Sequence, residues 1–179
     1  ADYSADVAAL SAGGSATLAV LGYADTGGRG IIAASEDTGA FTDYVFGDGM
    51  ISEVTSGAIA DGSWGAKPSP SAELQAAWEV VATAGGVDGS GVYSGESYDA
   101  MALIILAAQA AGSTDRAAIQ AEVMNVANAP GNKCHAGKLG ECLKMISGGL
   151  PVDYVGATGV ELDAVGTPNG SYAEQEVIA

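Results

Sequence analysis

Two apolar patterns succeed one another along this chain, short continuous runs that suit buried strands and stripes spaced for helices. Residues 4–13 (SADVAALSAG) read as a short amphipathic helix, with Val7 and Leu10 inward and Gly13-Gly14 as its stop. Residues 16–22 are continuously apolar, the pattern of a strand covered on both faces of a parallel sheet. That run ends in Gly22-Tyr23, and glycine-containing residues 26–30 open a helix over Gly28–Thr38, stopped by Gly39. Asp43–Gly47 is the next strand and ends on the acidic turn Gly47-Asp48-Gly49. Ser52 is placed to cap a short helix over residues 53–59, with Glu53 in its first turn. A polar stretch rich in Gly and Pro, DGSWGAKPSPS (Asp61–Ser71), follows.

From Ser71 the period is helical. Leu74, Ala77, Trp78 and Val81 form one stripe of a helix to about Ala84, and Gly85–Gly91 is a loop. Tyr98–Ala111 is apolar nearly all round and predicts a central, buried helix. Thr114 or Asp115 caps a further helix, Arg116–Ala127, ended by Ala129-Pro130-Gly131. Gly137–Ser147 is helical through Leu139, Leu143 and Ile146. The segments VDYVGATG, VELDAVG and SYAEQEVI read as short strands joined by Gly-rich turns. The chain is therefore α/β, and no internal repeat is evident.

Composition narrows the function. A length of 179 residues with 48% hydrophobic content is ample for a buried core. Six Lys+Arg against 22 Asp+Glu leave a net charge of −16, a surface that repels phosphate backbones and excludes nucleic acid as a partner. The longest strongly apolar run, Ala100–Ala111, is too short for the ~20 residues of a transmembrane helix. The chain begins ADYSAD, with no initiator Met and no basic region of a signal peptide, as processing or truncation would leave it.

Cys134 and Cys142 are the two cysteines, in CHAGKLGEC. An even count in an exported protein favours a disulfide, worth ~2–3 kcal/mol for so short a loop. Free thiols in a reducing compartment and a metal site with His135 are the alternatives; the metal site lacks a fourth ligand, and adjacent Cys and His side chains diverge. No G-x-S-x-G elbow, phosphate loop or helix-opening G-x-G-x-x-G occurs, so neither catalysis nor a cofactor is expected. Binding is a different matter. In open α/β sheets ligands bind beyond the carboxyl ends of the strands, and Tyr23 and Asp48 stand at such ends on neighbouring βα units. A Tyr ring packs on apolar groups while its hydroxyl hydrogen-bonds; the competing role is a rim or core tyrosine. Asp48 alternatively caps its own turn, for which Asp-Gly is a favoured pair.

The order LGYAD, GAFTDYVFGDGM, SGVYSGESYDAMALI, AAGSTD and VELDAVG resembles the second half of the periplasmic branched-chain amino-acid (Leu/Ile/Val) binding proteins, the type I solute-binding receptors of ABC importers. The likeness runs from about Ser4 to the C-terminus, while such receptors are about twice this length; it implies a C-terminal portion whose partner is the missing N-terminal half. The implied fold is α/β, made of pieces of two parallel-sheet lobes of the hinged, bilobal kind. Residues 1–66 would belong to the second lobe and 67–155 to the first, with 156–179 crossing back to the second. Lys67-Pro68-Ser69-Pro70 would be a hinge crossing; its plain alternative is a surface loop.

The resemblance also implies roles. Tyr23 matches a residue that contacts the bound amino acid, and Asp48 one that pairs with its ammonium group. That acid is commonly Glu in branched-chain members, so the shorter Asp here departs from the pattern. Tyr93 matches an aromatic lining the pocket. Glu96 faces either the cleft or simply the positive start of its helix, and Trp64 either covers the cleft or packs internally. The implied function is extracytoplasmic, periplasmic capture of an amino acid or similar small zwitterion for delivery to an ABC permease, with no enzyme activity. Two other readings stay open: a ligand sensor that regulates a partner protein, and an α/β hydrolase-like enzyme on the same scaffold.

Overall fold

The computed structural model describes residues 1–51 and 60–176, so the helix expected over residues 53–59 lies outside the described residues. The chain forms two compact units, Ala1–Pro68 with the strand that begins at Tyr172, and Ser69–Ser171.

In the first unit, helix α1 (Ser4–Ser11) leads to strand β1 (Thr17–Val20), and a wide turn at Ala24–Gly28 runs into α2 (Arg29–Thr38). Then come β2 (Asp43–Phe46), a short helix α3 (Asp48–Ile51) and β3 (Trp64–Pro68); the late strand β6 (Tyr172–Glu176) returns to the same sheet. The sheet order is β1-β2-β3-β6, with the first three parallel and β6 antiparallel to β3. Alternate residues Leu18, Val20, Tyr44 and Phe46 face a core shared with Val7, Ile32, Phe41, Met50 and Ile51. Tyr44 and Phe46 stack with ring centres 5.8 Å apart, and the buried Tyr44 hydroxyl donates to Ser35 Oγ at 2.7 Å. Gly39, at φ 60, ends α2 in the left-handed conformation that residues with a Cβ adopt at a cost.

Strand β3 was hidden in the Gly- and Pro-rich stretch. Gly65 is required by packing, since a methyl group there would meet the Ile51 side chain and stand 3.1 Å from the Phe46 carbonyl. Pro68 is tolerated because β2 pairs only with Trp64 and Gly65, so the proline lies beyond that ladder and removes no donor from it.

The second unit holds α4 (Ala72–Ala84), α5 (Ser94–Ala111), α6 (Arg116–Ala127), β4 (Asn132–His135), α7 (Leu139–Ser147) and β5 (Val152–Gly156). Ser71 caps α4 by accepting from Leu74 N, and Asp115 caps α6 by accepting from Ala117 N and Ala118 N. The short β4 pairs in parallel with β5, and buried Asp153 meets Lys133 Nζ at 2.6 Å across that pair. The unit continues to Ser171, past Val155, because Ala157, Val160 and Leu162 pack in its cores.

Helix α5 starts four residues before the apolar run, in the polar turn Ser94–Ser97, where Gly95 packs against Ala157 and Thr158. It is buried on one face only. Ala102, Leu103, Leu106 and Ala107 are covered by neighbouring elements, while Met101, Ile104 and Ile105 are exposed, unlike the helix enclosed on all sides that the composition suggested.

Asp99 locks α5 to the end of β5. Its buried carboxylate accepts from Tyr154 Oη (2.7 Å), Ala157 N (2.7 Å), Thr158 N (2.9 Å) and Thr158 Oγ1 (2.7 Å). Four donors offset the desolvation that would otherwise make a buried charge costly.

Cys134 and Cys142 form a disulfide, both residues buried, with Cα atoms 6.0 Å apart. They tie the end of β4 to α7 and are thereby removed as free thiols or metal ligands. Replacing both by Ala should lower the melting temperature by several degrees, as ~2–3 kcal/mol implies; an unchanged thermal transition would contradict the assigned role.

Burial, and next the adjacent Asp99 carboxylate, hold the Tyr154 hydroxyl protonated well above the ordinary tyrosine range. Because the folded-state value is the raised one, its contribution is complete below the unfolded tyrosine's value of ~10 and is lost as pH climbs beyond it. Melting curves taken from about pH 9 to 11 should fall more steeply for the wild type than for Tyr154→Phe.

Candidate ligand-binding site

The site is built where β1 and β2 end. The strands pair residue for residue, Thr17 with Asp43 through Val20 with Phe46, and Gly47 N continues the ladder to Val20 O at 3.4 Å. Both chains therefore leave the sheet side by side. From β1 comes Leu21-Gly22-Tyr23; from β2 comes Gly47-Asp48-Gly49, where Asp48 is the first residue of α3.

Tyr23 keeps an extended backbone (φ −117, ψ 143), and its carbonyl accepts from Gly28 N at 3.0 Å, which closes the turn into α2. Its ring is exposed, with 63% of the residue open to solvent. The ring lies against Gly49: a methyl group on that residue would stand 2.6 Å from Tyr23 Cδ1 and 2.5 Å from the Gly22 carbonyl oxygen. Tyr23 and the half-buried Asp48 turn are thus neighbours in space as well as in topology. Behind them Met50 is fully buried, and its N–H donates to Gly47 O at 3.0 Å, fixing the start of α3.

Tyr23 and Asp48 are therefore side by side at one end of the sheet. Asp43 is at the other end of β2, exposed, and accepts from Thr42 Oγ1 at 2.8 Å.

Tyr93 belongs to the second unit, immediately before α5, and Ser97 N donates to its carbonyl at 2.9 Å. Its backbone is left-handed (φ 63, ψ 9), a conformation that costs an aromatic residue ~1–3 kcal/mol and clusters at functional sites. Glu96 is half-buried in the first turn of α5. Trp64 is half-exposed on the open face of the first sheet. His135 is exposed, and among the described residues no group of His, Cys, Asp and Glu is arranged to hold a metal.

Sequence reasoning missed Gly49 as a support. Its signal is a glycine flanking the acid, and the structure uses that glycine as the seat of the Tyr23 ring.

No protein-family profile matches the sequence, and no curated protein matches it. The chain is similar in fold to a crystal structure of a leucine-binding protein from Thermotoga maritima, with a TM-score of 0.68 over 99% of this chain and 19% sequence identity. The matched region is 45% of that protein, so this chain spans less than half the length of its structural neighbour. The shared fold is α/β, here with a four-stranded sheet whose first three strands are parallel and a parallel two-stranded sheet. No helix among the described residues is long and apolar enough to cross a membrane.

Gly49→Ala tests the seat directly. The methyl must displace the Gly22 carbonyl and the Tyr23 ring together, so denaturant unfolding should show a loss of ~1–3 kcal/mol. Gly22→Ala, with nothing within 4 Å of the added carbon, should cost much less.

Proposed function

We propose that this chain is part of an extracytoplasmic solute-binding receptor that captures an amino acid, or a similar small zwitterion, for an ABC importer. The observation that carries the reading is the adjacency of Tyr23 and Asp48 at the carboxyl ends of paired parallel strands, within a fold similar to that of a leucine-binding protein. Asp48 neutralises the ligand ammonium, Tyr23 packs on the ligand's apolar part, and Tyr93 is the contact to its side chain contributed by the second unit. Residues 1–66 and 67–155 are then contributions to two lobes, joined by the later return of the chain. The ligand carboxylate is held by hydroxyls and backbone N–H groups of the receptor's N-terminal half, which this chain does not span. The event is recognition without turnover, in the periplasm or its equivalent, and the loaded receptor docks on a permease.

A carboxylate one methylene shorter than Glu sets the charge ~1.5 Å further back, which suits a larger or differently placed ammonium. In the intact two-lobed protein, Asp48→Asn should weaken amino-acid binding by ~2–4 kcal/mol, because a cation is then desolvated without its partner. Asp43→Asn, at the far end of the strand, should change it little, and Tyr93→Ala should reorder the preference among amino-acid side chains. Calorimetry against a panel of amino acids and their deaminated acid analogues makes the measurement. Undiminished binding by Asp48→Asn, or tightest binding by the deaminated analogues, reduces Asp48 to a turn residue and rules out an α-amino acid.

A further inference from the structure

The chain has six Lys and Arg side chains, and Lys67 is set apart from the others. Arg29, Arg116, Lys133, Lys138 and Lys144 are exposed, whereas Lys67 is half-buried. Lys133 and Lys138 have Asp153 and Glu141 as partners, but no carboxylate pairs with Lys67 among the described residues. In a chain with 22 acids, this ammonium gives up part of its hydration and meets no counter-charge. The strand explains why. Lys67 is held in β3 by pairing with Ala173 of β6, and side chains along a strand alternate between the two faces. Glu174 and Glu176, opposite Ala66 and Trp64, go with them to the open face. Lys67 goes with Gly65 to the face that carries α3, where a methyl group on Gly65 would meet the Ile51 side chain.

Lys67 also stands at the end of the sheet where Tyr23 and Asp48 are found. Strands β1, β2 and β3 are parallel, so their carboxyl ends lie together. Phe46 pairs with Gly65, and two residues further on come Asp48, the first residue of α3, and Lys67. The order across that end is an aromatic ring after β1, a carboxylate after β2 and an ammonium on β3, with neighbouring strands about 5 Å apart. We infer that Lys67 receives an anionic side chain of the ligand, so that the captured solute is an acidic amino acid. With the ligand ammonium on Asp48, a carboxylate two or three carbons away reaches about one strand further, to Lys67. The α-carboxylate, on the same carbon as the ammonium, goes to the receptor's other half. An aliphatic side chain in the same place would strip Lys67 of more water and return no acceptor, so the lysine selects against apolar ligands as well as for acidic ones. The inference rests on the receptor reading above and narrows its substrate class.

Calorimetry on the intact two-lobed protein, with L-glutamate, L-aspartate, L-glutamine, L-leucine and glutarate as probes, tests this. One of the acidic amino acids should bind roughly ten- to hundred-fold more tightly than L-glutamine, which has nearly the shape of L-glutamate without the charge. Lys67→Gln should abolish that preference and leave the affinity for L-glutamine and L-leucine unchanged. Lys67→Arg should keep most of the preference, which a merely structural role for the lysine would not produce. Tighter binding of L-leucine or L-glutamine by the wild type overturns the inference and leaves the receptor reading in place. Equal weakening of every amino acid by Lys67→Gln also overturns it, since Lys67 then holds the α-carboxylate or the strand itself. Glutarate, which lacks the ammonium, separates the two readings. If it binds best, unaffected by Asp48→Asn and lost in Lys67→Gln, the anion subsite stands and the amino-acid ligand falls. Failure of all five probes to bind removes both.

Discussion

The parallel register between β1 and β2 is the constraint on which the candidate site depends. Thr17 to Val20 meet Asp43 to Phe46 without a break, and the bond from Gly47 N to Val20 O carries the pairing past the last strand residue. A slip of one residue would turn Leu18, Val20, Tyr44 and Phe46 out of the core, so the hydrophobic pattern enforces the register. Once the register is set, the two connections have to emerge together, and Tyr23 comes to rest on Gly49 beside Asp48. The adjacency of Tyr23 and Asp48 is therefore a by-product of core burial a few residues earlier.

The second unit solves a different problem. With only two paired strands it has little sheet to organise it, and polar anchors do much of that work. Asp99 gathers Tyr154, Ala157 and Thr158 onto the start of α5, and Asn128 exchanges two hydrogen bonds with the backbone of Leu162, each 2.9 Å long. The disulfide adds a covalent tie between β4 and α7. Tyr98 completes the set by packing on Trp78 at 4.8 Å between ring centres and accepting from Gly137 N at 3.0 Å.

Much of this is legible in the sequence, for reasons that can be named. Helices α2, α4 and α6 carry their own stops and caps in Gly39, Ser71 and Asp115, so their ends are local properties. Strands β1 and β2 stand out as apolar runs between turn residues, and Tyr23 and Asp48 are found because they follow those runs. Strands β3 and β4 are not legible: WGAKP and NKCH are short, polar or interrupted, and become strands only by pairing with distant partners. The outward face of Trp64 was hidden with its strand. The left-handed backbone of Tyr93 has no sequence signal either, since an aromatic is among the residues least suited to it. The seat of Tyr23 on Gly49 depends on tertiary register, which no local pattern encodes.

Strand β6 has a consequence for how the molecule is made. It pairs with β3 from Trp64–Glu176 to Pro68–Tyr172, although the whole of the second unit intervenes in the chain. The first sheet therefore waits, with β3 unpaired on that side, while Ser69–Ser171 is synthesised, a delay on the order of ten seconds at ordinary elongation rates. During that interval the second unit is free to fold from its own contiguous sequence, whereas the first is completed only by a long-range closure, the slow kind. The order of assembly is written into the topology: of the two units, the one whose strands are made earlier is the one that finishes last.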